Sequence, residues 1–510
     1  MVGQSVLFDL RKTRGISLSM ATLFQNPSLR EFASVIDAAS TLSNGDKSDS
    51  TPPEMDYHLD GELLKTKYLP AAFPQGNNLA ETFLVTGASG FLGAHTLVDV
   101  LNRPQTKVIA LVRAKDSSDA LQRIKENCIA YGIWSKSWLS RLECIPGDLS
   151  KPNLGLSPTT WKHLEDSVDV IIHSGARVHW IHTYTEMKPT NVLATLACIT
   201  LCSTPNRPKH LTFISSTAVL DTPSHLNHRV LESDDLAGSR KGLSTGYAQT
   251  KYVSEYLVRE AGTRGLHGCV IRAGYLTGDQ TTGIGPTDDF LLRMLKGSIQ
   301  LHSRPDLSPN NINLVPISHC ARIVVAASLH PPSPRGVEVV QVTPHPQLPW
   351  NDFLGALEVY GYDTHMIPYS HWKTKLEEYV ANPSLTTNGT TTTTTPLPPT
   401  NQENTDHEPH ALLPLFDWVT TDLLSSTQSR ILDDANAVKV VREDDPNYPF
   451  IEKGRVDEGT VGVYLGFMRS VGFIEGPDGK KGKGEENVKE LPRVSMSEEM
   501  MRAWRGRGGR

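Results

Sequence analysis

Along the chain, short apolar runs alternate with stretches whose apolar residues recur at helical spacing. The runs at 82–87 (TFLVTG), 107–113 (KVIALVR), 142–146 (LECIP), 168–173 (VDVIIH), 209–215 (KHLTFIS) and 268–272 (GCVIR) have the length of strands. Between them, 90–102, 117–131, 186–203 and 245–262 carry the three-to-four-residue period of helices. Near-continuous apolar strands alternating with helices specify a parallel sheet covered on both faces. The expected fold class is therefore α/β, a doubly wound parallel sheet of Rossmann type, with ligands at the carboxyl ends of the strands.

Around this centre the pattern changes. Residues 1–40 read as two or three short helices, and 41–62 as a polar linker rich in Ser, Asp and Pro. The dinucleotide-binding domain is expected over 63–330 and a smaller, mainly helical substrate subdomain over 331–475. The region from about 285 is more irregular, with a helix in TDDFLLRMLKGS and an apolar run at 319–329. A Thr/Pro/Asn tract at 382–410 can bury little and is expected to be a disordered insertion; apolar periodicity resumes at 411–424 and 460–474. The Gly/Lys/Glu-rich tail, 476–510, is likewise expected to be disordered.

Composition removes several classes of function. A net charge of −6 over 510 residues offers no basic footprint for nucleic acid. No apolar run approaches the ~18 residues of a membrane span, and the amino terminus has no signal-peptide core. The six cysteines are scattered; Cys198 and Cys202 lie one helical turn apart with no second pair to complete a zinc site. They read as reduced and structural, in a cytoplasmic protein to which the sequon Asn388-Gly389-Thr390 is irrelevant.

Candidate chemistry falls at strand ends. In FLVTGASGFLG, Thr86 and Gly87 form a turn, Gly90 lets backbone approach a pyrophosphate, and Gly93 lets helix pack on strand, with Phe91 and Leu92 opening that helix. Its amino terminus offers free N–H groups to phosphate. The second strand ends at Arg113, where a guanidinium suits the 2′-phosphate of NADPH, with Lys115 as a helper; a plain surface arginine is the alternative. The third ends in Asp148-Leu149, placed to meet an adenine edge, and the fourth in His173-Ser174-Gly175, whose small residues leave room for cofactor. His173, His179 and His182 fit no metal spacing and read as structural.

The fifth strand ends Ser215-Ser216-Thr217, and Tyr247 and Lys251 follow at i and i+4, on one face of a helix. A nearby ammonium is expected to lower the phenol from its pKa of ~10 toward the working pH. The Thr217 hydroxyl can reach the same substrate oxygen as Tyr247.

Together these motifs resemble the extended short-chain dehydrogenase/reductase family. The blocks LVTGASGFLGAH, ALVRAKD, IIHSGARVHW, ISSTAVLDT, GYAQTKYVSEYLVREAG and GCVIRAGYLTGD resemble, more narrowly, the carboxy-terminal reductase domain of fungal L-2-aminoadipate reductases. The resemblance implies NADPH-dependent reductive release of an aminoacyl group, the 2-aminoadipyl group of lysine biosynthesis, from a phosphopantetheine thioester as the aldehyde. It assigns Thr217, Tyr247 and Lys251 to catalysis and Gly87, Gly90, Gly93 and Arg113 to the cofactor. Other extended reductases or epimerases, acting on fatty acyl-CoA or nucleotide sugars, and an inactive carrier-binding module stay open.

Residues 1–40, from Leu10-Arg11 to LFQNPSLREFA, are similar to the second half of a phosphopantetheine carrier domain, which makes a phosphopantetheinylated carrier, in cis or in trans, the implied partner. The family's attachment serine would precede Met1, and Ser5 stands at the wrong distance, so the chain is expected to begin inside a truncated domain. By the same resemblance, the family's adenylation domain is expected to be missing from this chain. Ala273 replaces a proline usual in the family, a change expected to loosen the loop beside the nicotinamide.

Overall fold

The computed structural model describes residues 28–42, 56–76, 80–180, 182–226, 228–381, 409–477 and 488–507, with Val6 and Leu10. Ser5, most of the carrier-like leader, most of the linker and nearly all of the tract 382–410 lie outside the described residues. Seven parallel strands form the central sheet: β1 (Thr82–Thr86), β2 (Lys107–Val112), β3 (Leu142–Pro146), β4 (Val170–His173), β5 (His210–Ser216), β6 (His267–Ala273) and β7 (Val337–Val342). Their spatial order is β7-β6-β5-β4-β1-β2-β3. The winding reverses between β1 and β4, which pair with Thr86 opposite His173. That reversal opens the crevice in which this fold takes ligands.

The described helices used below are α1 (Tyr57–Tyr68), α2 (Phe91–Leu101), α3 (Ser117–Ala130), α4 (Ala194–Cys202), α5 (Gly246–Thr263), α6 (Phe290–Gln300), α7 (Ile317–Leu329), α8 (Trp350–Val359), α9 (Ala435–Asp444), α10 (Glu458–Ser470) and α11 (Glu498–Arg507). Alternation along the strands divides the apolar side chains between two cores. Phe83, Val85, Val108 and Ala110 pack with Leu97 of α2 and Ile323 of α7. Leu84, Ile109 and Ile171 pack with Ile199 of α4 and Leu257 of α5. The first core continues through Trp350, Phe353, Leu465 and Phe467, so the mainly helical carboxy-terminal part shares its interior with the sheet.

Three segments differ from the sequence reading. The sheet extends beyond 330: β7 lies against β6, and its polar Glu338 and Gln341 break the apolar run that marks the other strands. Gln341 is wholly buried because its amide donates to the carbonyls of Val230, at 3.0 Å, and Asp433, at 2.9 Å. Helix α1 starts inside the expected linker, capped by Asp56, and seats Tyr57 on Tyr252 of α5, with its hydroxyl donating to the Ser239 carbonyl at 2.9 Å. The tail is not wholly without structure, since α11 packs on α3. Trp504 sets its ring 5.2 Å from Phe467 and 6.5 Å from Tyr131. Leu491, Val494, Met496, Met500 and Trp504 pack on the core from that polar segment, at spacings too uneven to register as one period. No described helix is long and apolar enough to cross a membrane.

Candidate active site

The crevice is built first from backbone. Gly87 adopts φ +68°, and a Cβ there would stand 2.6 Å from the backbone of Gly175. A Cβ on Gly93 would fall 2.1 Å from the Gly87 carbonyl oxygen. Gly90 differs: its Cβ would meet only that same oxygen, at 3.1 Å. As the N-cap of α2 it offers no side-chain acceptor, which leaves first-turn N–H groups and the positive helix end for an anion. This cradle fits a pyrophosphate. The Leu92 side chain is buried, while Phe91 lies 5.1 Å from the Tyr131 ring. A Cβ on Gly175 would stand 2.4 Å from Leu149, so Leu149 and Ser174 border the same space.

Thr86 and His173 pin this turn to the end of β4. The Thr86 hydroxyl lies 2.7 Å from His173 Nδ1 and accepts from Gly175 N–H at 3.1 Å; His173 Nε2 lies 3.1 Å from the Thr195 hydroxyl. Burial pushes the His173 pKa down to about 3, so the ring stays neutral and serves the framework. His179 and His182 meet edge to face with ring centroids 3.9 Å apart. Among the described residues no three His, Cys, Asp or Glu side chains gather as a metal site would require.

Arg113 is exposed just beyond β2. Asp148, beyond β3, accepts from the Ser150 N–H at 2.9 Å and hydroxyl at 2.7 Å. Those two bonds, with a smaller pull from Arg113, hold its carboxyl below the usual carboxylate range. Asp148 thus also shapes its own turn.

On the other side of the crevice, Thr245 caps α5 and Gly246 lies tight under 182–184, where a Cβ would stand 2.4 Å from the His182 carbonyl. This fixes Tyr247 and Lys251 against the end of β5. The Lys251 ammonium donates to the Ile214 carbonyl at 2.6 Å and sits 4.9 Å from the Phe213 ring centroid and 5.9 Å from that of Tyr247. The Ser216 hydroxyl, which accepts from Ala218 N–H at 3.2 Å, lies near enough to the Tyr247 phenol to pull its pKa down. Thr217 opens the turn Thr217–Leu220 beside them, half-buried.

Two expectations change here. The phenol is not lowered: burial pushes Tyr247 up to about 12, with Ser216 pulling partly back, and pushes Lys251 down to about 7 against the opposing pull of Glu255. For the phenol, desolvation outweighs the pull of Ser216. Ala273 also belongs to a strand rather than to a loop. Ala273 is buried in β6, paired with Ser216 on one side and Val342 on the other.

Sequence reasoning also missed features that chain-distant residues build. Strand alternation turns Ser215 away, to donate to Glu255 at 2.7 Å, and leaves Ser216 on the side where it acts on the Tyr247 phenol. An aromatic wall joins Trp180, which lies 4.6 Å from Trp418 and 6.0 Å from Phe290, to Tyr275, 6.2 Å from Phe290. The single legible signal was the Val178–Trp180 run after β4.

Comparison with known proteins agrees with this architecture. A family model described as male sterility protein, an NAD-binding family, matches residues 85–324. The large subunit of L-2-aminoadipate reductase of Penicillium chrysogenum is 40% identical over 538 aligned residues, covering 100% of this chain and 36% of that protein. L-2-aminoadipate reductase of Schizosaccharomyces pombe is 36% identical over 99% of this chain and 35% of its own length. The chain thus spans about a third of the length of these curated relatives. Among solved structures, the terminal R domain of the myxalamid PKS-NRPS biosynthetic pathway superimposes with a TM-score of 0.68 at 26% identity, covering 82% of this chain and 100% of that one. A motif set at the strand ends, a shared sheet topology and identity along the whole chain coincide, and the protein belongs with the L-2-aminoadipate-reductase-like carboxy-terminal regions, as an NAD(P)-binding reductase domain.

Proposed function

We propose that this chain is an NADPH-dependent thioester reductase, releasing an aminoacyl group, the 2-aminoadipyl group by its relatives' names, from a carrier's phosphopantetheine as the aldehyde. The observation that carries the reading is the buried Lys251 ammonium, anchored to the Ile214 carbonyl at 2.6 Å with the Tyr247 ring centroid 5.9 Å away, at the end of a strand two places from the glycine cradle of β1. NADPH, when bound, supplies the hydride. The Gly87–Gly93 turn and the amino end of α2 would hold its pyrophosphate, and Arg113 its 2′-phosphate. Thr86, Phe91, Leu92, Asp148, Leu149 and Ser174 complete the bed.

Each catalytic side chain has a separate task. Thr217 and Tyr247 donate to the thioester carbonyl oxygen and stabilise the negative charge that grows there, a contribution of about 2.7–4 kcal/mol for one such donor. A phenol pushed up to about 12 stays protonated at neutral pH and remains a donor. Lys251 holds the ribose side of the site and can supply a proton through Tyr247. The thiol of the carrier arm leaves toward the mouth of the cleft.

A phosphopantetheinylated carrier is the proposed partner. All six cysteines are buried and unbridged, in keeping with a cytoplasmic enzyme. Purified protein mixed with NADPH and an acyl-pantetheine thioester should consume NADPH and form aldehyde. Binding of NADPH without consumption, with any acyl thioester, would refute the reading.

A further inference from the structure

We propose that Asp221 is a specificity-determining residue whose carboxylate receives an ammonium group carried on the acyl part of the substrate. The proposal rests on the thioester-reductase reading and names the feature of substrate that the cleft selects.

Asp221 ends the tight turn that Thr217 begins. At about 2.0 Å per residue, such a turn sets it roughly 8 Å from Thr217, within the span of an acyl chain whose carbonyl lies at that hydroxyl. Arg430 fixes the position from behind. Its Nε donates to the Leu220 carbonyl at 3.0 Å and its Nη2 to the Thr222 carbonyl at 3.3 Å, so one guanidinium grips the backbone on both sides of Asp221. The guanidinium is occupied by carbonyls, and the Asp221 carboxylate is left with no side-chain hydrogen bond or ion pair among the described residues. Asp289, near the same space, is different, because its carboxylate caps α6 through Leu291 N–H at 2.8 Å.

Asp221 is exposed to solvent, although enough protein surrounds it to desolvate its charge. The charged and titratable groups that face it are Arg430, Asp422 and Tyr275. Tyr275 continues into the aromatic wall of Phe290, Trp418 and Trp180. A carboxylate that no side chain pairs with, close enough to Tyr275 to act on its phenol, is a site for a cation, and neither Lys251 nor Arg430 pairs with it. Burial, reinforced by Asp422 and opposed by Arg430, pushes Asp221 up to about 7. An arriving ammonium would draw it back down and so release a proton.

The experiment uses two pantetheine thioesters of equal length, one bearing an amino group on the acyl chain and the other lacking it, with the non-reducible thioether of each. Wild-type protein should favour the amino compound in both binding and kcat/KM. Asp221→Asn should lower kcat/KM for it by about tenfold to a hundredfold, through KM, and leave the other thioester within about twofold. Equal losses on both compounds, or no loss on either, would overturn the proposal. Selective thioether binding without turnover would keep Asp221 in its role while refuting the reductase reading.

Discussion

The Lys251 ammonium lies 2.6 Å from the carbonyl oxygen of Ile214, the residue two positions before Ser216. One helix side chain thereby ties α5 to the strand whose end carries Ser216 and Thr217. The same face of α5 continues to Glu255, which accepts from Ser215 at 2.7 Å and pairs with Arg272 at 2.6 Å.

Tyr247→Phe removes a donor and leaves the ring in place. In the proposed reaction it should lower kcat by about a hundredfold to a thousandfold with little change in NADPH affinity. Steady-state kinetics with an acyl-pantetheine, and cofactor fluorescence titration, check both halves. Ser216→Ala should give a smaller loss, because Thr217 still offers a hydroxyl.

Arg113→Ala should weaken NADPH binding by about tenfold to a hundredfold and leave NADH nearly unchanged, as expected for loss of a charge-assisted bond to phosphate. Parallel KM measurements with the two cofactors decide it. Equal losses would make Arg113 a residue of the turn.

Lys251 gives stability a pH dependence of known sign. Its folded pKa, about 7, lies below the ordinary lysine value of 10.5. Between those values the unfolded chain binds more protons, so stability rises with pH. The melting temperature of wild type relative to Lys251→Met should therefore climb from pH 7 to pH 10. A difference flat in pH would show that the ammonium pays no burial cost.

Gly93→Ala should disable the cradle. The added methyl would fall 2.1 Å from the Gly87 carbonyl, and relieving that contact moves the turn. Overpacking of this kind costs about 1–3 kcal/mol, and NADPH binding should weaken by at least about tenfold. Thermal melting with and without NADPH separates the two effects.

Glu255→Ala should destabilise the fold by about 3–5 kcal/mol, because Arg272 would be left charged and without its partner in a site where neither side chain is exposed. Chemical denaturation measures this directly. Replacing Glu255 and Arg272 together by apolar residues should cost less.

How much of this was legible depends on how each residue finds its neighbours. The first six strands stand out as apolar runs, and Tyr247 and Lys251 as one turn of one helix. Strand β7 was hidden because Gln341 answers to Val230 and Asp433, far away in sequence. Asp221 was passed over for the same reason: its meaning comes from Arg430, which joins it only in the folded chain. The aromatic wall draws on residues from 180 to 418, and no local period announces it. Nor does the Ser-Ser-Thr run announce that the pleat of β5 sends Ser215 to Glu255 and turns Ser216 the other way.

Helix α11 ends the described chain with Trp504 wedged between Tyr131, just past α3, and Phe467 of α10. It is a rivet through both halves of the molecule, driven from the far terminus. A protein shortened ahead of Glu498 would lose contact surface on the nucleotide-binding half and on the acyl-facing half at once. Because the two share one interior, the truncated protein would melt earlier as a whole, although the truncation removes no residue of the cleft.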